Sequence, residues 1–231
     1  MGIKAINLDF YGTLVDWLPV WIEVSKKIVD ENKLELSPKE FALSWRNNQR
    51  QMLDCREFTP YKENILDALN MLCIRHKIKN NDYHELLFGS WKNIKPFPEV
   101  NKVLNSLKQK YKLAVCTNSS GDLFDICAKS IPIKFDNVFI SDEIKVNKPH
   151  KRMYEYAIKS LGAGITEIIH VASSQMDVKG AAYAGLAVCW INRARETRMN
   201  GIPKPNFEIY DLRELSKILQ LAPQDYGAEQ A

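Results

Sequence analysis

No run of 18 or more apolar residues occurs among the 231 positions, so no segment is long enough for a membrane-spanning helix. Asp9 interrupts the first apolar run before a secretory signal segment could finish, and the expectation is a cytoplasmic protein with no membrane partner. No CxxC pair is present. The five cysteines, Cys55, Cys73, Cys116, Cys127 and Cys189, are odd in number and read as reduced structural thiols, with Cys116 and Cys189 inside strand-like runs. The four histidines show no metal-ligand spacing, and His170, in an apolar run, reads as a core residue. A net charge of +4 mildly favours an anionic partner, but the basic residues are scattered, and there is no arginine-rich block or nucleic-acid motif. Arg75, His76, Lys77 and Lys79 come nearest to a cluster and suit a helix C-terminus. Repeats and low-complexity segments are also missing, and residues 223–231 read as a flexible polar tail.

What is present is enough for an ordinary core, since 45% of the residues are hydrophobic. Candidate strands recur at 3–10, 112–118, 137–141, 167–173 and 186–192, and helix-length segments such as VNKVLNSLKQK, HKRMYEYAIKSLG and DVKGAAYAG separate the later ones. This alternation predicts an α/β fold, a doubly wound, Rossmann-like parallel sheet. About a hundred residues separate the first two strands, and much of that interval shows apolar residues three and four apart. A helical cap inserted after the first strand accounts for it: residues 1–16 and 95–222 would form the core and residues 17–94 the cap. The two prolines of KPFPEV, 95–100, would mark the return to the core.

In such a sheet the ligand site lies at the carboxyl ends of the strands. Asp9 ends the first predicted strand, Thr117 and Asn118 the second, and Ser173 and Ser174 a later one with Asp177 just beyond, while Lys148 stands before Pro149 at a loop-to-helix junction. A carboxylate, hydroxyls, an amide, an ammonium and a second carboxylate thus converge on one edge. Tyr154, six residues after Lys148, is read as lying roughly on the same side of a helix. Trp45, Trp91 and Trp190 are read as packing.

Taken in order, Asp9-Phe10-Tyr11-Gly12-Thr13-Leu14, Thr117-Asn118, Lys148-Pro149 and Asp177 resemble the four motifs of the haloacid dehalogenase-like hydrolases. In the phosphatase branches the residue two after the nucleophile is a second aspartate, serving as general acid and helping to hold magnesium. Here it is Tyr11, whose phenol has a reference pKa near 10 and is a poor acid at neutral pH. That tyrosine, SWRNNQ at 44–49, KPHKRMYEYA at 148–157 and GAAYAGLAVCWINR at 180–193 resemble the L-2-haloacid dehalogenase branch.

The resemblance implies a cytoplasmic hydrolase acting on a small halogenated carboxylate, with no cofactor, metal or nucleic-acid partner, and a homodimer. It implies that Asp9 displaces halide and forms an ester that water then hydrolyses. Lys148 would keep Asp9 ionised, Thr13 would orient it, and Asp177 would position Lys148 or the water. Tyr154, Thr117, Ser173 and Ser174 would complete the polar shell. The backbone amides of Phe10, Tyr11 and Asn118 would bind the substrate carboxylate, and Arg46 would receive the halide. Two departures fall in the fourth motif, where Ala172 stands for a serine and Ser174 for an asparagine, and a third is Arg50 at an apolar position of the cap. Strained-ring hydrolysis, phosphate-ester hydrolysis and carboxylate binding without turnover are the alternatives.

Overall fold

The computed structural model describes residues 2–55, 58–79 and 82–221. The predicted tail, 223–231, and the side chain of Cys55 lie outside the described residues. Six strands, β1 (Ala5–Leu8), β4 (Lys112–Thr117), β5 (Asn137–Ile140), β6 (Ile168–Ala172), β7 (Ala187–Ile191) and β8 (Phe207–Ile209), form one parallel sheet in the order β5-β4-β1-β6-β7-β8. The chain runs outward from β1 through β4 to β5, then crosses back to β6 on the other side. Strand order therefore reverses at β1, which pairs Leu8 with Val115 and with Val171. The crevice beyond its carboxyl end is where a doubly wound sheet binds its ligand.

Successive strand residues face opposite sides of the sheet, and both sides are covered, so the strands read as continuous apolar runs rather than alternating ones. Ile6, Leu8, Val115, Val171 and Cys189 belong to one apolar cluster. Ala5, Ala114, Cys116, Val188 and Trp190 belong to the other. Asn7 and His170, neighbours in register, interrupt the second face with a buried polar pair.

A two-stranded antiparallel ribbon, β2 (Val15–Asp16) with β3 (Lys95–Pro96), was not predicted. Pro96 therefore pairs opposite Val15 instead of merely marking the return of the chain, and strands of two residues are too short to show a period of two. Between them lie α1 (Leu18–Glu31), α2 (Pro38–Cys55), α3 (Tyr61–Arg75) and α4 (His84–Ser90). Trp21 and Trp45 meet with ring centroids 4.6 Å apart, and the Trp45 indole donates to the Ile65 carbonyl at 2.8 Å, fixing α2 against α3. The start of α3 is tied to the sheet side by the Tyr61 amide on Asp142 Oδ1, 2.9 Å, and by Asn147 Nδ2 on the Thr59 carbonyl, 3.0 Å. The remaining helices are α5 (Val100–Lys108), α6 (Gly121–Ala128), α7 (Ser141–Ile144), α8 (Lys151–Leu161), α9 (Gln175–Tyr183) and α10 (Leu215–Leu221).

Candidate active site

Just past β1 the chain turns sharply. Gly12 adopts φ +87°, and a Cβ there would stand 2.9 Å from Ser173 Oγ, so a side chain is excluded by conformation and by space. The turn brings Thr13 back onto Asp9, whose Oδ2 accepts its hydroxyl at 2.8 Å, while Thr13 Oγ1 itself accepts the Ser173 amide at 2.9 Å. One hydroxyl thereby links the loops after β1 and β6.

Lys148, only 6% exposed, donates to Asp9 Oδ1 at 2.7 Å and to Asp177 Oδ2 at 2.5 Å. Its backbone amide donates to Asn118 Oδ1 at 2.8 Å, and Asn118 Nδ2 returns a bond to its carbonyl at 3.0 Å, so Asn118 clamps the peptide on which the ammonium is carried. Asp177 also accepts the Tyr154 hydroxyl at 2.7 Å and the His170 ring at 2.9 Å, both on Oδ1. Asn7 Nδ2 donates to His170 Nδ1 at 3.1 Å, which leaves Nε2 as the protonated nitrogen facing Asp177.

Burial opposes ionisation of Asp177, but Lys148 and His170 outweigh it and hold the carboxyl well below the usual range. Burial likewise works against the Lys148 charge, and Asp177 followed by Asp9 reverses that and raises its pKa above the ordinary lysine value. The cluster is a buried pair of carboxylates bridged by one permanent cation.

These groups line a cavity of about 60 Å³ together with Tyr11, Arg46, Arg50, Tyr61, Thr117 and Ser174. A larger outer groove of about 650 Å³ shares Leu53 and Pro149 with it, but has no carboxylate among its lining residues. Tyr11 lines the same cavity as Asp9, with its hydroxyl held by Trp91 Nε1 at 3.1 Å and against Ser119 Oγ at 3.2 Å. Burial, then Tyr61, push its phenol well above 10. Arg46 donates to Gln49 Oε1 at 2.5 Å and lies 5.5 Å from the centre of the Trp17 ring.

A buried, lysine-bridged carboxylate pair at the switch point of a parallel sheet defines the class as an α/β protein with an acid-rich strand-end site. The chain belongs to the haloacid dehalogenase-like hydrolase family, whose model matches residues 6–191. It is 30% identical to (S)-2-haloacid dehalogenase 2 of Pseudomonas sp. strain CBS-3, over 96% of this chain and 98% of that one. It is 29% identical to the (S)-2-haloacid dehalogenase of Pseudomonas sp. strain YL, over 95% and 96%. The structure of the L-2-haloacid dehalogenase from Xanthobacter autotrophicus with chloropropionic acid covalently bound matches with a TM-score of 0.81 at 21% identity, over 96% of this chain and 100% of that one.

The structure brings Asp9, Tyr11, Arg46, Thr117, Asn118, Lys148, Ser174 and Asp177 to one cavity. Phe10 differs: its side chain is fully buried against Phe124, ring centroids 4.8 Å apart, so only its backbone can serve a ligand. Ser173 acts through its backbone, with its carbonyl accepting the Trp190 indole at 3.0 Å. Tyr154 reaches the cluster by another route than the one expected. Lys148 is not helical, because α8 begins at Lys151, after a cis Lys148–Pro149 peptide, and Tyr154 meets Lys148 through Asp177 rather than by helical spacing. Gly180 makes this approach possible, since a Cβ there would stand 2.5 Å from the Pro149 carbonyl and 2.7 Å from the Tyr154 ring.

Trp91 and His170 are buried core residues, as read from the sequence, and each also bonds a site residue: Trp91 holds the Tyr11 hydroxyl, and His170 bonds the Asp177 carboxylate. The available signal was that Asn7 and His170 are the polar residues of two otherwise apolar runs. Ala172 is fully buried within β6, opposite Trp190.

Proposed function

We propose that this protein hydrolyses small L-2-haloacids, the S enantiomers, to 2-hydroxy acids through an ester on Asp9. The observation that carries the reading is the placement of Asp9: a carboxylate 7% exposed at the wall of a cavity that Tyr11 also lines, bonded by Thr13 and paired with Lys148. An Asp9 oxygen attacks C2, the C–X bond breaks with its electron pair leaving on halide, and C2 inverts. Water then adds to the ester carbonyl carbon and expels the 2-hydroxy acid, whose new oxygen comes from Asp9. A proton is released to solvent, and the carboxylate is restored. Two steps replace one difficult displacement.

Lys148 pairs with Asp9 Oδ1 and holds that carboxylate in place for the first step. Asp177, with one oxygen on Lys148 and the other on Tyr154 and His170, serves to position the lysine. The amides of Phe10, Tyr11 and Asn118 are assigned to the substrate carboxylate and Arg46 to the departing halide, with Ser174 beside the entering water. Thr117 completes the wall. Residues 1–16 and 95–222 act as the core and 17–94 as a cap whose helices close the cavity. The buried free thiols Cys73, Cys116, Cys127 and Cys189 favour a cytoplasmic setting.

A phosphatase reading has less support, because both site carboxylates are engaged by Lys148 and the phenol of Tyr11 is too weak an acid to protonate a leaving group at neutral pH. The test is a single turnover of 2-chloropropionate in ¹⁸O-labelled water with excess enzyme, followed by mass spectrometry of the peptide bearing Asp9. One ¹⁸O in the Asp9 carboxylate is expected. Label appearing in the hydroxy acid instead would mean that water attacks C2 directly and that Asp9 is not the nucleophile.

A further inference from the structure

One group facing the cavity has no assigned partner. Among the described residues, Lys148, Arg46 and Arg50 line it with the carboxylates Asp9 and Asp177, and both carboxylates are bonded to Lys148. In the proposed reaction, the carboxylate of a 2-haloacid goes to backbone amides and the departing halide to Arg46, which gives Arg50 no group of a monoacid to bind. Arg50 is the unassigned donor. It projects from α2 one turn beyond Arg46, lines the cavity, and has a buried Nε with no hydrogen-bond partner. Burial first and the like charge of Arg46 second bring its pKa down to about 10, against weaker support from Glu196 and Asp9. A desolvated, self-repelling pair of guanidiniums is a costly arrangement in the free protein, and an anion placed between them relieves it.

We infer that the acid selected by this site carries a second anionic group and that Arg50 receives it, making the substrate class a short 2-halodicarboxylate. The inference rests on the dehalogenase reading and names its substrate. Planar guanidinium forks match carboxylates with two parallel hydrogen bonds, which suits Arg50 to this role better than a lysine would. The small volume of the cavity keeps the diacid short. Lys145, Arg152 and Lys179 line the neighbouring groove, which shares Leu53 and Pro149 with the cavity, and their positive potential favours the arrival of a dianion. The reaction itself is unchanged, with halide leaving C2 and a 2-hydroxydicarboxylate as product.

The experiment compares halide release from 2-chlorosuccinate and 2-chlorobutanoate, which differ in replacing a carboxylate by a methyl group, at a pH where both acid groups are ionised. The natural protein should favour the diacid at least about tenfold in kcat/KM, and Arg50→Leu should invert the ratio, with Arg50→Lys intermediate. Arg50→Gln repeats the test should the leucine variant fail to fold. A natural protein that prefers the monoacid, or variants that lower both substrates in parallel, would overturn the inference. If no 2-haloacid releases halide, the dehalogenase reading fails separately, and calorimetry then decides the role of Arg50. Succinate binding at least about tenfold more tightly than butanoate, with the difference lost in Arg50→Leu, supports it, and equal affinities sink it.

Discussion

On the strand-end side of the cavity, Lys148 places its charge between two carboxylates at 2.5 and 2.7 Å, whereas on the helical side Arg46 donates to the neutral amide of Gln49 and Arg50 leaves its Nε unbonded. The first wall is built from loops at a topological switch point, each tied to the next by a named hydrogen bond. The second is one face of α2, held in place chiefly by packing around Trp45. On the proposed mechanism, the groups that act identically on every substrate stand on the cross-bonded wall, where reorganisation during reaction is small. On the same proposal, the groups that choose the substrate stand on the wall where Arg50 Nε lacks a partner.

The largest effect is expected at Asp9. Replacing it by asparagine keeps the shape but removes the proposed nucleophile, and halide release should fall at least about 10⁴-fold. Lys148 retains Asp177, so the fold should survive. Halide measured over a single turnover, with the variant verified by mass as undeamidated, checks this. Undiminished release would move the chemistry off the strand-end wall.

Lys148→Met is the next largest effect. It leaves two buried carboxylates without their cation, at a cost of about 3–5 kcal/mol at neutral pH, read by urea denaturation. The pH dependence is the sharper signature. In the natural protein, the depressed pKa of Asp177 gives a contribution present above the ordinary carboxyl value and lost only as pH falls through its low native value. The raised pKa of Lys148 gives one that is complete below the ordinary lysine value and lost as pH rises through its native value. Between those limits the cluster contributes a constant amount. In the variant, Asp177 stays buried and loses the Lys148 charge that holds its pKa down, so its carboxyl should titrate above its native value and the pH dependence of stability should move to higher pH. A profile identical in shape to that of the unaltered protein would show that Asp177 does not depend on Lys148.

The same contrast explains what could be seen in the sequence. The long parallel strands were legible because burial on both faces makes uninterrupted apolar runs, and the strand-end residues were legible because polarity resumes abruptly where those runs stop. The ribbon of β2 and β3, and the three-residue β8, were not, since they are too short for any period. The helical wall could be placed on Arg46 through resemblance, and Arg50 stood out as a departure. Its place one turn beyond Arg46 follows from helical spacing, but its place in one cavity with Asp9 and Asp177 is a tertiary fact. His170 was read correctly as buried, but its bond to Asp177 rests on the register of β1 with β6, which no local pattern encodes.

A smaller effect is expected at Tyr154. Phenylalanine removes one of the three donors to Asp177 while Lys148 and His170 remain, so stability should drop by about 1.5–3 kcal/mol, the range for hydrogen bonds to charged groups. As a positioning residue behind the carboxylate, Tyr154 should affect kcat more than KM. A larger rise in KM than fall in kcat would place it in contact with substrate.

The smallest effect is expected at Tyr11, where the two walls meet. Its ring lies nearly parallel to that of Tyr61 from the helical side, centroids 6.0 Å apart, and its hydroxyl bonds Ser119 on the sheet side. Tyr11→Phe keeps the ring contacts and removes the hydroxyl, leaving the buried Trp91 indole without its acceptor, for a loss of about 1 kcal/mol in stability. Because burial raises the phenol pKa well above 10, the hydroxyl stays protonated throughout the working pH range and has no titration to contribute. The kcat of the variant should therefore fall by less than about tenfold, with the shape of the pH–rate profile retained, whereas a general acid would cost about 10²- to 10⁴-fold and remove a limb of the profile. Loss of that limb would make Tyr11 a proton donor and bring the phosphatase reading back, while retention leaves it as the aromatic roof that joins a fixed chemical wall to a selective one.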